Sequence, residues 1–289
     1  AMAISSTLND SQSSGLDLNG LQGANIFTDI NTTQLQQGRV LAHSSNTGTT
    51  QAQVAINDVS LLPTDEFEVR FDGTDFTLYN LTTGGSENLG APGTGTPAGT
   101  HTPSSPDYGF SFIATGTPVA GDRFSVIPTK NSGALMKATL TDGNAIAAST
   151  AIAVTPSSNN VSDGAVNIIN VTDPVTARAY TEGSNTKLTV DVYESAPGTF
   201  DYRVYDAANP PPAPVIASGN FAAGASAVID MPPAPAPAAF QIEITGAPVG
   251  QGSLAREKFT ISDVFGPGNG SNAGFISATQ EQAIVGKGT

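Results

Sequence analysis

The sequence of 289 residues contains no cysteine and no tryptophan. The first absence excludes disulfides, thiolate metal ligands and a cysteine nucleophile together. Charge is scarce too. Asp, Glu, Lys and Arg supply 12% of the residues, about half the share usual for a soluble domain. What charge there is has one dominant sign: eleven Lys and Arg stand against 25 Asp and Glu, a formal net charge of −14. Such a surface repels phosphate backbones and anionic lipid headgroups, so neither nucleic acid nor a membrane surface is an expected partner. No uninterrupted apolar run approaches the roughly 18 residues that a spanning helix needs, so no membrane insertion is expected. The start, Ala1-Met2-Ala3-Ile4, lacks the basic and apolar regions of a secretory signal. Ala1 to Ala3 reads as a cloning remnant ahead of a native start near Ile4, which makes the chain a piece of a longer protein.

Turn formers are abundant, with 31 Gly and 20 Pro. Together with the polar composition they point to a β-rich chain with long loops. The clearest strands are Phe67-Glu68-Val69-Arg70-Phe71 and Phe76-Thr77-Leu78-Tyr79. Each alternates apolar and polar residues, and Asp72-Gly73 between them marks a hairpin. Further strands read out at Tyr108 to Ile113 and Arg123 to Pro128, and Ala134 to Leu140 is a weaker candidate. Residues 82–107 form a Gly/Thr/Pro/Ser tract that reads as a surface loop, and Pro156 to Asp163 reads as a linker. The proline tracts Pro210 to Pro212 and Pro232 to Pro237 lack donors for a central strand, so they belong to extended loops or edges. Helical character is expected near Ile4 to Ser14 and again at Ile276 to Ile284.

The second half repeats the first. Phe110 to Val119 matches Phe240 to Val249, and each block precedes a strand, Phe124-Ser125-Val126 or Phe259-Thr260-Ile261. Upstream, Leu188 to Val192 and Tyr202 to Asp206 stand where Phe67 to Phe71 and Phe76 to Asn80 stand. Two similar β units are therefore expected about 130 residues apart, too few and too long for a solenoid.

A search for chemistry finds little. The two histidines, His43 and His101, sit among small polar residues and read as solvated. There is no nucleophile elbow, phosphate-cradling Gly-Lys loop or paired-histidine zinc motif. Asp17-Leu18-Asn19-Gly20 resembles the front of a calcium loop, but Leu21 and Thr28 stand where ligands belong, so it reads as a turn. Asp72 and Asp75 are explained by hairpin chemistry. Glu68, Arg70, Asp201 and Arg203 alternate with apolar residues, as on a solvated sheet face. Asn-x-Ser/Thr triplets at Asn31, Asn80, Asn160 and Asn170 follow from composition. No catalytic, cofactor-binding or metal-binding residue is assigned, and no cofactor is expected.

Several segments together resemble the flagellar hook-associated protein 1 family, the hook–filament junction protein. Gly15, Asp17, Leu18, Asn19, Gly20, Gly23 and Phe27 match a segment that follows a helix end in that family. Phe67 to Gly73 fits its hairpin, and Gly121, Asp122, Phe124, Val126, Pro128, Thr129 and Lys130 fit a following strand. Thr141, Asp142, Ile146, Ala147 and Ala148 match a Thr-Asp-x-x-x-Ile-Ala-Ala segment. Val204 to Ala207, Ile244 to Pro248 and Phe259 to Ile261 fit the variable later part. One departure is Arg256-Glu257-Lys258, where the family has Gly-Asp before the last Phe. The family's helical terminal regions are missing altogether.

The resemblance implies an exported, extracellular structural component of the bacterial flagellum and not an enzyme. Its partners would be the hook protein and other hook-associated proteins, reached through the missing helical regions, and lateral copies of itself in the ring. The fragment alone would be monomeric. The alternatives are a surface adhesin or other β-module binding protein, with loops 82–107 and 209–239 as its reading surfaces, and another flagellar axial protein such as a hook or filament protein. The expected fold is mainly β, with two small antiparallel domains, sandwich- or barrel-like, in tandem and short helical or irregular ends. Residues 1–49 would lead in, 50–155 and 156–262 would form the domains, and 263–289 would return toward an absent helical domain. The expected cores hold Phe67, Val69, Phe71, Phe76, Leu78, Phe110, Phe112, Phe124 and Val126 in the first. The second should hold Leu188, Val190, Val192, Tyr202, Val204, Phe240, Ile242, Ile244, Phe259 and Ile261.

Overall fold

A computed structural model of the chain describes residues 1–104, 107–181, 187–247 and 256–281. It divides into two compact units. The first comprises described residues of 1–9 and 26–139 together with Glu281, and the second comprises described residues of 10–25 and 140–280. Helix α1 (Met2–Ser13) therefore contributes residues 2–9 to one and 10–13 to the other.

The first unit continues with α2 (Thr33–Gly38), β1 (Val40–Ala42), β2 (Gln51–Ile56), β3 (Phe67–Phe71) and β4 (Phe76–Asn80). It ends with β5 (Ser86–Gly90), β6 (Thr100–His101), β7 (Phe110–Thr115) and β8 (Arg123–Val126). A five-stranded sheet in the order β1-β8-β3-β4-β5 and a three-stranded sheet in the order β2-β7-β6 enclose one core. All pairings are antiparallel. The alternation read from the sequence places Phe67, Val69, Phe71, Phe76 and Leu78 inward from the larger sheet. Rings cross the gap between sheets. Phe67 meets Phe110 edge-on at 5.2 Å, and Phe76 meets Phe112 at 5.6 Å.

The second unit holds β9 (Ile152–Pro156), β10 (Ala165–Val171), α3 (Pro174–Thr181), β11 (Leu188–Ala196) and β12 (Thr199–Asp206). It continues through β13 (Ala217–Ala222), β14 (Ala227–Met231), β15 (Phe240–Thr245), β16 (Glu257–Asp263) and α4 (Ser271–Ala278). Its sheets run β13-β12-β11-β16-β9 and β10-β15-β14. Adding eight to every strand number of the first unit reproduces this arrangement in full. Register agrees as well: Val69 pairs with Leu78 where Val190 pairs with Val204, and Ile56 pairs with Phe110 where Val171 pairs with Phe240. Gly116 and Gly246, each just beyond the second strand of such a pair, have φ of 92° and 84°. A Cβ there would lie 2.6 Å from the Thr49 carbonyl oxygen or 2.4 Å from that of Asp163. The repeat seen in the sequence is thus a repeat of topology. Pro248, Val249 and residues 282–284 lie outside the described residues.

The fold is mainly β, in four antiparallel sheets with short helices, and no sheet closes into a barrel among the described residues. Every expected core residue is buried except Tyr202, which is half-buried and packs over Gly219 on the neighbouring strand.

Several local expectations are corrected. Residues 82–107 are not one loop, since β5 and β6 lie within them. Ala134 to Leu140 forms no strand; only Ala138 makes an isolated bridge, to Phe27. Pro156 to Asp163 connects β9 to β10 inside the second unit and is not a linker between units. The units also meet at 139/140 and draw in flanking sequence. Residues 40–42 complete the first large sheet as β1, while the wholly buried Leu16 belongs to the second core. Strand formation at an edge needs only a backbone partner, so β1 carries little hydrophobic signal. The proline tracts do flank edge strands, β13 and β14.

Candidate functional site

The residues singled out for chemistry are occupied by structural tasks. Asp17 Oδ1 accepts from the backbone N–H of Asn19 at 2.8 Å and of Leu21 at 2.9 Å, which makes a turn of the calcium-like segment. Asp72 Oδ1 likewise accepts from Thr74 N at 2.7 Å and Asp75 N at 2.8 Å. These donors hold the Asp72 carboxyl below the usual range. His43 is exposed, with Nδ1 2.7 Å from Ser45 Oγ. His101 departs from expectation. It is buried, packs against Phe76 at 5.3 Å, and places Nδ1 2.9 Å from the Leu89 carbonyl oxygen. Residue 101 lies on β6, whose inward face the polar sequence around it conceals. Among the described residues no three His, Asp or Glu side chains are grouped to hold a metal ion.

Two polar locks recur in both units. Asn46 Oδ1 accepts from Arg123 N at 2.8 Å, and its Nδ2 donates to Arg123 O at 2.8 Å. Asn160 makes the same two bonds to Lys258, both at 2.9 Å. Beside each stands a buried carboxylate. Asp122 Oδ1 accepts from Thr47 N at 2.9 Å and Gly48 N at 3.4 Å, and Oδ2 accepts from Val119 N at 2.9 Å. Burial would raise Asp122, but these three donors outweigh it and hold the carboxyl below its ordinary range. Glu257 Oε1 accepts from Val161 N at 2.9 Å and Ser162 N at 2.8 Å. Glu257 therefore fills the place of Asp122, so the departure at Arg256-Glu257-Lys258 keeps the acid and its task.

The outer face of the second large sheet carries a denser network. Asp191, 3% exposed, accepts from Tyr205 Oη at 3.0 Å, Arg256 Nη1 at 3.2 Å and Arg203 Nη2 at 3.4 Å. The Arg256 guanidinium lies 4.6 Å from the Tyr193 ring centre. Burial first, then the bond to Asp191 and its negative charge, push Tyr205 up to about 12. Arg203, expected on a solvated face, is instead bonded to the buried Asp191. Asp191 and Arg203 stand directly opposite each other on β11 and β12, a pairing that depends on the strand register.

Two grooves among the described residues bear on chemistry. One of about 660 Å³ in the second unit runs between β9 and β10 and carries one carboxylate, Asp10. Another, of about 400 Å³, is lined by Thr189, Tyr205 and Lys258 among others and carries none. Neither offers the two facing carboxylates of a glycosidase. Segments 82–107 and 209–239 present no large exposed apolar side chain except Val228 among their described residues.

No protein-family model matches the sequence. No curated protein matches it either. Among solved structures, the flagellar hook junction protein FlgK from Burkholderia pseudomallei is similar, with a TM-score of 0.59 and 21% identity. The match covers 100% of this chain and 51% of that one, so the chain spans about half the length of its structural neighbour. At this identity the likeness is one of fold.

Proposed function

We propose that this chain is the outer β portion of a structural protein of the bacterial flagellum, at the junction between hook and filament. The observation that carries the reading is the fold match to a hook junction protein over the whole chain. The ordered motifs from Gly15 to Ile261 support it independently of overall identity. The use of Asp122 and Glu257 to hold backbone loops fits a structural role. On this reading the protein is exported, sits outside the cell, and is not an enzyme. Hook protein and other hook-associated proteins would be met through regions beyond these 289 residues, with copies of itself beside it in a ring. The isolated chain would be a monomer.

Gene disruption in the source bacterium tests this. Cells with complete hooks, no attached filaments and no swimming are expected. Intact filaments in the disrupted strain would refute the junction reading, and loss of the hook itself would move the protein to another axial position.

A further inference from the structure

The two units differ in how the outer edge of the smaller sheet is covered among the described residues. In the first unit β2 is an edge strand, and the chain's own preceding segment covers it. The Asn31 side chain accepts from Ile56 N at 2.9 Å and donates to Ile56 O at 2.8 Å. Arg39, 3% exposed, donates to Val54 O at 3.0 Å and also to the carbonyl of Ile30. Helix α2 lies against β1 and β2. An edge treated this way cannot accept another strand.

In the second unit the counterpart is β10, where Val171 stands for Ile56. Among the described residues it pairs with β15 alone, and β9 across the groove pairs with β16 alone. No hydrogen bond from outside the β10–β15 ladder reaches the backbone of Ile168, Ile169 or Val171 among the described residues. The bulge between Ile168 and Asn170 adds an apolar side chain, Ile169, which is 47% exposed. Phe275 of α4, 63% exposed, lines the same groove with Val154 and Val171. The site thus has what its twin has filled: two sheet edges and an apolar lining.

We propose that the groove between β9 and β10 accepts an extended, cationic polypeptide segment, which adds to the edge of β10 as a strand. Strand addition fits because the groups on offer are main-chain donors and acceptors beside pockets for alternate apolar side chains. Positive charge fits for two reasons. The groove lining contains no Lys or Arg. The surrounding unit, residues 10–25 and 140–280, carries fourteen Asp and Glu against five Lys and Arg, a net charge of −9. That balance disfavours a second copy of the same acidic chain as the occupant. The twin site agrees, since its covering segment brings a buried arginine to the edge carbonyls.

The test is a titration of the whole chain with a short peptide alternating valine and lysine, read by amide hydrogen exchange. Saturable binding with new protection at residues 166–171 is expected, and a valine–glutamate peptide of the same length should bind at least about tenfold more weakly. Ile169→Lys and Phe275→Ser, both at exposed positions, should each weaken binding about tenfold while leaving the unfolding midpoint in place. No protection at 166–171, equal binding of the two peptides, binding unchanged in both variants, or self-association through β10 without peptide binding would each overturn the proposal.

Discussion

Asn46 holds the backbone of Arg123 through both ends of its amide, each bond at 2.8 Å, and so ties the loop after β1 to the start of β8. Asn160 repeats the arrangement on Lys258. Alanine at either position should lower stability by about 1 kcal/mol, the net worth of such bonds at a partly solvated site. The loss should be local. Asn46→Ala should speed hydrogen exchange in the first unit's sheets and leave the second unit's amides unchanged, and Asn160→Ala should do the reverse.

Acid should loosen the first unit through Asp122. Its carboxyl lies below the unfolded-state value, so it contributes stability above that value and loses it as pH falls through the folded one. Asp122→Asn keeps the shape but removes the charge that three backbone donors face. A loss of about 1–3 kcal/mol at neutral pH is expected, together with a flatter dependence of unfolding free energy on pH in the acid range. Denaturant titrations of both proteins from neutral to acid pH check this.

Asp191→Ala should be costlier, about 2–3 kcal/mol, because it removes the buried acceptor that Tyr205, Arg203 and Arg256 share. Neutralising the same position with Asp191→Asn should be visible spectroscopically. Tyr205 ionises at about 12 in the folded chain, so its contribution to stability is complete below the unfolded value and fades as alkaline pH passes through the folded one. With Asp191 replaced by Asn, the most alkaline tyrosinate transition should move down.

Two glycines make a paired test of packing in the second unit. A Cβ on Gly23 would sit 2.1 Å from the Gln12 carbonyl oxygen and 2.6 Å from Ala147 Cβ, so Gly23→Ala should cost about 2 kcal/mol or more. Gly274 in α4 has nothing within 4 Å of that position, and Gly274→Ala should stabilise the chain by about 0.5–1 kcal/mol. Thermal unfolding of the two variants should move in opposite directions.

The strands that alternate cleanly, such as Phe67 to Phe71, were legible because one face is buried and the other wet. The repeat was legible because inward aromatic and aliphatic positions recur at matching distances from turn glycines. Helix α3 was missed, although Asp173-Pro174 announces it: Asp173 Oδ1 accepts from Thr176 N at 2.9 Å and Pro174 opens the first turn. The buried surroundings of His101, Arg39 and Asp191 were not legible, because each depends on strands or segments distant in sequence. The β10 edge was hidden for another reason. Only comparison with its covered twin shows that, among the described residues, β10 lacks the side-chain bonds that Asn31 and Arg39 make to β2.

The flagellar reading stands or falls on where the protein resides. Immunogold electron microscopy of flagella from the source bacterium, with an antibody raised against these 289 residues, measures that directly. Label confined to the boundary between hook and filament is the expected result. Label along the filament, along the hook or on the cell body would contradict it.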